Sequence, residues 1–181
     1  VIKQAIDNKA NKSLYGDTTI NVGRKAGTTV GKYSTAEGNN TTASGSYSHA
    51  EGSNYNSSDT DALPDRTVTI SNVDYTISGS TAYGVNSHAE GTQSFAYGYS
   101  SHAEGCDTIA SGAFSHAEGN NTTASGNCSH AEGCQTTAGG RYSHAGGYYT
   151  KALKVAEFAH GQYNQSNNNT LFSIGDGTAD D

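Results

Sequence analysis

Small and polar residues alternate along most of this chain with a period of two, in short runs that end in glycine. In the run 129–133, Ser-His-Ala-Glu-Gly, Ser and Ala take positions one and three, and His and Glu take positions two and four. This alternation is typical of β-strands, whose successive side chains point to opposite faces. A helical heptad is excluded, because glycine recurs every seven residues and Leu and Ile are scarce. The pattern predicts short strands with a small inner face and a polar outer face.

The strands recur with a period of fourteen residues. Ser-His pairs begin at residues 48, 87, 101, 115, 129 and 143, and the last five are evenly spaced. A second run in each copy, such as residues 122–126, gives a half-repeat of seven. Glycine at position five of every run is expected to adopt a positive φ and to start the turn into the next strand. Such units bury their inner faces only by stacking. We therefore predict an all-β fold, a parallel β-roll (β-solenoid) of about seven fourteen-residue coils.

One irregular gap indicates an insertion. Ser48 and Ser87 are 39 residues apart, which is 25 more than one repeat. The extra segment, about 55–79, carries two strand-like stretches around a short polar turn and predicts an inserted β-hairpin. We therefore divide the chain into an N-terminal stem or linker (1–19), a β-roll head (20–161) and a C-terminal connector (162–181), which we expect to be truncated.

Composition supports order through stacking rather than through a large apolar core. Val, Ile, Leu and Phe together account for only 22 of 181 residues, whereas glycine accounts for 23. So few large apolar side chains cannot form a conventional globular core. The net charge of −7, without a Lys/Arg cluster, argues against a nucleic-acid partner. No apolar run is long enough for membrane insertion.

The conspicuous candidate chemistry is a set of His-x-Glu pairs at positions two and four. Such a pair has the donor atoms for a divalent metal, and the Ser-His adjacency is reminiscent of a hydrolase. However, metal-site geometry is normally made once, whereas these pairs recur on every coil, and adjacent strand residues point to opposite faces. We therefore predict an architectural role, with no catalytic residue, no metal and no cofactor. The pairs are His49/Glu51, His88/Glu90, His102/Glu104, His116/Glu118 and His130/Glu132.

These runs resemble the haemagglutinin-type heptad repeats of YadA-like heads in trimeric autotransporter adhesins, whose motif is Ser-Val-Ala-Ile-Gly. The Ser-His-Ala-Glu-Gly variant is also similar to repeats of phage and prophage tail fibres. The resemblance covers roughly residues 20–161 and implies a left-handed roll in a homotrimer. It also implies that positions two and four face the neighbouring subunits. On this resemblance, the five His/Glu pairs would line the trimer interface as polar ladders.

The resemblance implies a non-enzymatic fibre or adhesin head that attaches to a host receptor or glycan. Residues 5–12 look like a fibre stem, which favours a phage or prophage tail fibre on the virion over a bacterial adhesin on the cell surface. The alternative is a structural spacer and folding template ahead of a C-terminal self-cleaving chaperone domain, because residues 161–164 and 171–178 are similar to the segment before such domains. Aromatic and apolar side chains of the second runs and the insertion are candidate receptor contacts, and packing against the hairpin or a neighbouring subunit is their alternative role. They are Tyr83, Phe95, Tyr97, Val68, Ile70 and Tyr75.

Overall fold

A computed structural model of the chain describes residues 20–24, 28–53, 64–164 and 171–177. The predicted stem, 1–19, lies outside the described residues. In these ranges the chain forms strands and turns, and no helix is long and apolar enough to cross a membrane. The strands are β1 (Ile20–Arg24), β2 (Thr35–Ala43), β3 (His49–Gly52), β4 (Arg66–Ile70), β5 (Val73–Ile77), β6 (Thr81–Ala82), β7 (His88–Thr92), β8 (Phe95–Ala96), β9 (His102–Cys106), β10 (Ile109–Ala110), β11 (His116–Asn120), β12 (Thr123–Ala124), β13 (His130–Cys134), β14 (Thr137–Ala138), β15 (His144–Tyr148), β16 (Lys151–Ala152), β17 (Phe158–Gln162) and β18 (Phe172–Asp176).

The coils stack through two parallel ladders, which we call sheet A and sheet B. The first run of each coil joins sheet A and the second run joins sheet B. Between β7 and β18 the register of sheet A is fourteen residues from coil to coil, so that His116 pairs with His102 on one side and with His130 on the other. This arrangement confirms the predicted parallel β-solenoid. Sheet A contains β1, the first half of β2, β3, β7, β9, β11, β13, β15, β17 and β18, and sheet B contains the second half of β2, β6, β8, β10, β12, β14 and β16.

The solenoid is longer than the sequence count indicated, with about nine turns instead of about seven. At one end β1 pairs with β2, and at the other end β18 pairs with β17 from Phe172 opposite Phe158 onward. Strand β18 therefore extends sheet A beyond residue 161. Its residues 171–175, Leu-Phe-Ser-Ile-Gly, lack the His and Glu that made the other copies recognisable. The division of the chain into stem, head and connector stays a prediction.

The interior of the roll is a thin layer of small side chains between the two sheets. Fifteen alanines form one continuous cluster, each with an exposed fraction of 1% or less. Position one of the runs from Ser34 to Glu157 is also buried, and it holds Ser or Thr in every one of these runs except the last. Several of the serines donate their Oγ to a nearby backbone carbonyl, as Ser101 does to Gly98 at 2.8 Å. Methyl and hydroxymethyl groups fill this space because the sheets approach too closely for larger side chains. The predicted small inner face is confirmed.

The turns differ from the prediction in one respect. The eight glycines from Gly38 to Gly161 that end the first runs have a positive φ, for example 107° at Gly105, as expected, whereas Gly175 does not. Glycines that end the second runs, such as Gly112, do not, so the prediction is wrong for them. They are needed because a Cβ there would collide with the backbone carbonyl of the glycine in the next coil. The left-handed residues of the turns lie two positions further on and are not glycine, as at Asp107 (57°) and Phe114 (58°).

The predicted hairpin is present and lies over sheet B. Strands β4 and β5 pair antiparallel, and Ser71 and Asn72 between them both have positive φ, which is typical of a type I′ turn. Val68 and Ile77 of the hairpin pack on Phe95 of β8 to form a second apolar cluster. Residues 54–63 of the insertion lie outside the described residues. The hairpin thus gives sheet B an outer layer at one place along the roll.

Candidate functional site

The outer face of sheet A carries a column of stacked imidazoles. Position-two histidines of successive coils have ring centroids 4.7–4.8 Å apart and interplanar angles of 1–9°. The stack follows from the parallel register, because the spacing between strands is close to a favourable spacing between rings. The next ring, His144, lies 4.9 Å from His130 but is turned by 78°, and Phe158 and Phe172 follow it. The stacked members are His49, His88, His102, His116 and His130.

A column of carboxylates runs beside the imidazoles and lines a shallow groove of about 540 Å³. All ten residues of the predicted ladder lie on this face, which we call the His/Glu face. The side chains of this face are only half-buried, because sheet A covers them on one side and leaves the other side open. Whether another chain packs against this face stays a prediction. The groove is lined by Glu90, Glu104, Glu118, Glu132, His160 and four intervening glycines.

The ion pairs change their pattern along the face. In the early coils each imidazole lies near the carboxylate of its own coil, as in His88–Glu90 at 3.5 Å. Further along, it lies near the carboxylate of the preceding coil, as in His130–Glu118 at 3.5 Å. Among the described residues, Nε2 of all five stacked histidines is buried without a hydrogen-bond partner. These pairs are therefore electrostatic contacts, each worth little in a half-exposed setting.

Two imidazoles of the stack, His88 and His102, have a lowered pKa. Burial is the largest cause for both His88 and His102, and the neighbouring imidazoles add to it. The adjacent carboxylates act in the opposite direction without cancelling the effect. Charging one ring in the stack is unfavourable because the ring is partly desolvated and its neighbours carry like charge when protonated. His88 and His102 are consequently neutral at pH 7.

One coil breaks the carboxylate column. Gly146 stands where the neighbouring copy has Glu132, and the next coil places His160 at the same register. The side chains of Glu132 and His160 both reach over this glycine. Sequence reasoning passed over this feature, although its signal was visible: residues 143–147 read Ser-His-Ala-Gly-Gly, a copy without its glutamate.

Aromatic rings gather where the hairpin meets sheet B. Tyr75 of the hairpin lies 5.2 Å from Tyr83, 5.6 Å from Phe95 and 5.1 Å from Tyr97, measured between ring centroids. Its hydroxyl donates to that of Tyr97 at 3.2 Å, and this hydrogen bond is the main reason that the pKa of Tyr75 rises to about 12. Edge-to-face contacts of this kind fix the hairpin on the sheet.

The structure corrects part of the predicted receptor-contact set. Phe95 is fully buried and Val68 is 6% exposed, because the hairpin and sheet B cover each other at these side chains. Neither is available to a receptor. Ile70, Tyr75 and Tyr97 are partly buried in the same cluster. Tyr83 is 44% exposed. Phe95, Tyr75 and Tyr97 thus pack in the cluster between the hairpin and sheet B, and whether Tyr83 contacts a receptor stays a prediction.

Polar contacts hold the base of the hairpin. The Arg66 guanidinium donates to the carbonyl of Gln93 at 2.9 Å and to that of Asp107 at 3.1 Å, and it forms an ion pair with the Asp107 carboxylate at 3.3 Å. The Gln93 amide donates to the carbonyl of Pro64 at 2.7 Å. Arg66 is therefore a clamp between the insertion and two successive coils. No repeat position marks these residues, so sequence reasoning missed them.

Three segments of the chain match the family model of the YadA head domain repeat, which spans two copies of the repeat: residues 30–54, 78–101 and 103–127. The first two segments flank the hairpin, and the coils after residue 127 continue in the same register. This match confirms the resemblance to YadA-like heads. The family consists of trimeric, structural adhesins of the extracellular surface. No curated protein matches the chain.

Proposed function

Because this chain carries YadA head domain repeats, we propose that it is the non-enzymatic head module of a trimeric fibre or adhesin. The observation that carries the proposal is the His/Glu face, on which like residues stack in register over successive coils. A face with such regular columns presents the same surface at every level of the roll. It therefore suits packing against two copies of itself around a common axis.

The end of the same face favours self-association as well. In β18, Phe172 is 64% exposed and Ile174 is 71% exposed, at the two positions where the earlier coils have His and Glu. Leu171 beside them is 57% exposed. An exposed apolar patch of this kind is typical of an interaction surface. We infer that the polar columns set the alignment of the three chains and that the apolar end contributes most of the contact energy.

The molar mass in solution tests this assembly. We expect three times the chain mass of 18.7 kDa by light scattering. Glu118→Lys places a cation in the His/Glu face and should weaken the trimer. Thr123→Lys is the matched control, because Thr123 lies on sheet B in the same column as the natural Lys151. A natural chain that is monomeric at micromolar concentration would overturn the proposal.

We propose that attachment occurs through the outer surface formed by the hairpin and sheet B. Exposed Tyr83 and Val73 support this placement, because Tyr83 follows β6 of sheet B and Val73 begins β5 of the hairpin, whereas the His/Glu face belongs to sheet A. The chemistry favours a cell-surface glycan, since exposed tyrosine rings stack well on sugars. A phage tail fibre is our preferred setting, and a bacterial surface adhesin is the alternative.

Binding of the purified trimer to host cells and to a glycan array tests attachment. Tyr83→Ala should reduce binding while the mass stays that of a trimer. Tyr142→Ala is the control, because Tyr142 is similarly exposed but follows β14, which lies four strands along sheet B from β6. Binding that survives both Tyr83→Ala and removal of residues 66–77 would place attachment elsewhere on the trimer, and a natural trimer that binds neither cells nor glycans would favour a spacer and folding template. The uninterrupted register from β7 to β17 supports that second candidate, since it makes a stiff rod.

A further inference from the structure

The break at Gly146 brings three ligand-type atoms together at a single place in the roll. His144 Nε2 lies 3.3 Å from Glu132 Oε1. A Cβ on Gly146 would lie 2.5 Å from His160 Nδ1 and 2.9 Å from the same Glu132 oxygen. The imidazole of the next coil and the carboxylate of the preceding coil thus converge over the space that a side chain would fill.

The distances suit a small cation. One donor atom from each of Glu132, His144 and His160 lies within 4.8 Å of the other two. Ligands of a four-coordinate zinc ion, at about 2.0–2.2 Å from the metal, are separated by roughly 3.4 Å, so small side-chain rotations close the site. Nδ1 of His160 is buried and, among the described residues, has no hydrogen-bond partner. Burying an imidazole nitrogen is unfavourable unless a hydrogen-bond donor or a metal ion binds its lone pair, or an acceptor binds its N–H.

The other His/Glu groups on the face lack this geometry. Two of them also combine two histidines with one glutamate, but their rings are stacked with interplanar angles of 5° and 3°. The nitrogen lone pairs of parallel rings lie in parallel planes and do not point at a common atom. His144 and His160 are inclined by 36°, with ring centroids 6.5 Å apart. Among the groups in the described residues, this is the one with two histidines whose rings are not stacked parallel.

We propose that Glu132, His144 and His160 bind one divalent transition-metal ion per chain, with Zn²⁺ as the preferred ion. Two imidazole nitrogens and one carboxylate oxygen are ligands typical of zinc. The His-x-Glu pairs recur on successive coils, whereas a metal site is normally made once. The gap at Gly146 is such a single place, because this glycine occurs in one coil of the described stack. Three protein ligands leave a coordination position for water or for a group from another chain.

The electrostatics of the site agree with metal binding. The Glu132 carboxylate supplies negative charge on one side. The proposal does not depend on trimer formation, because one chain supplies all three ligands.

Calorimetric titration of the tag-free, chelator-treated chain with Zn²⁺ tests the site. We expect one ion per chain, and we expect Co²⁺ to give the visible absorption of a four- or five-coordinate imidazole site. Gly146→Ala places a methyl group where the donors converge, and His160→Gln removes a donor. Each should weaken Zn²⁺ binding by more than about tenfold, since even the loss of a residue that only orients a ligand has that effect.

His102→Gln is the matched control, because it removes an imidazole from the parallel stack and leaves the Gly146 gap intact. It should bind Zn²⁺ as the natural chain does. Gly146→Glu restores the sequence of the other copies and serves as a second gap-filling variant, with thermal melts confirming that each variant folds. The proposal fails if the natural chain binds no Zn²⁺ at millimolar concentration, if filling the gap has no effect, or if His102→Gln loses binding equally.

Discussion

At the scale of single residues, the roll depends on positions where no side chain, or only a methyl group, can be accommodated. The alanine columns define the thickness of the interior, and the glycines that end the second runs allow one coil to lie against the next. These glycines are required by close backbone contact rather than by an unusual φ. A substitution at such a position is therefore a steric problem that side-chain rotation cannot relieve.

Gly126→Ala should destabilise the roll by about 1–3 kcal/mol or more, because the new Cβ would overlap the backbone carbonyl of Gly140. Gly139→Ala is the matched control: its Cβ would meet the end of the Leu153 side chain at 3.0 Å, and Leu153 is 52% exposed and able to move. We expect its effect to stay within about 0.5 kcal/mol. Urea unfolding measures both, and equal effects would contradict the steric explanation.

The stacked imidazoles predict a loss of stability in acid. The pKa of His88 and His102 is lower in the folded chain than in the unfolded chain, so the unfolded chain binds protons first as the pH falls. As the pH falls from about 7.5 through the usual histidine pKa of about 6.5, the free energy of unfolding should therefore decrease. It should level off once the pH is below the pKa that these histidines have in the folded chain. The groups that face the two rings are His49, His116, Glu51, Glu90 and Glu104.

Urea midpoints at about pH 7.5 and 5.5, with EDTA present to exclude metal effects, measure this dependence. The double variant His88→Gln/His102→Gln should lose part of it. Urea midpoints of the natural chain that are identical at both pH values would show that the column does not resist protonation.

At the scale of elements, the hairpin is attached to the roll by one apolar cluster and one arginine clamp. Phe95 is the central side chain of the cluster and is the largest fully buried residue of the described chain. Its neighbours in the same column are Thr81 and Ile109, so the phenyl ring is a local adaptation to the hairpin above it. The hairpin and the coil beneath it should behave as one cooperative unit.

Phe95→Ala should destabilise this unit by about 3–5 kcal/mol, because it removes the ring on which Val68 and Ile77 pack. Phe114→Ala is the control, since Phe114 lies in a turn and is 59% exposed. Hydrogen exchange of the amides of β4 and β5 should accelerate in the first variant and not in the second. Unchanged exchange in Phe95→Ala would mean that the Arg66 clamp alone holds the hairpin.

At the scale of the whole molecule, local periodicity determines what could be predicted from the sequence. Strand positions, register and the small interior follow from the spacing of residues such as Ser101 and Ser115, because a stack with one repeated unit has one consistent register. The burial of Phe95 could not be predicted, since it depends on where a non-periodic insertion folds back. Strand β18 was not counted because Phe172 and Ile174 replace the marker residues. The convergence of donor atoms around Gly146 could be seen only in the structure, although the missing glutamate was visible in the sequence.

The stack also predicts how its length can change. Deletion of the fourteen residues 115–128 joins Phe114 to Ser129 and restores the same run at the junction, so the shortened chain should still fold cooperatively. Deletion of the seven residues 115–121 is the control. It places the second run, which begins at Thr122, where a strand of sheet A is needed, so every later run falls on the wrong sheet. Circular dichroism and thermal melts compare the two. A fourteen-residue deletion that unfolds the chain as the seven-residue deletion does would contradict independent stacking of coils.

The hairpin leaves the roll between β3 and β7 without disturbing their pairing, since His49 still lies opposite His88. A corner that accepts an extra segment at no cost to the ladder is a place where sequence can be exchanged freely. If attachment occurs at the hairpin as we propose, recognition elements can be gained or lost at this corner while the surface of sheet A stays unchanged. On that proposal the target can change during evolution without any change in the assembling face, because the two surfaces lie on different sheets of the roll.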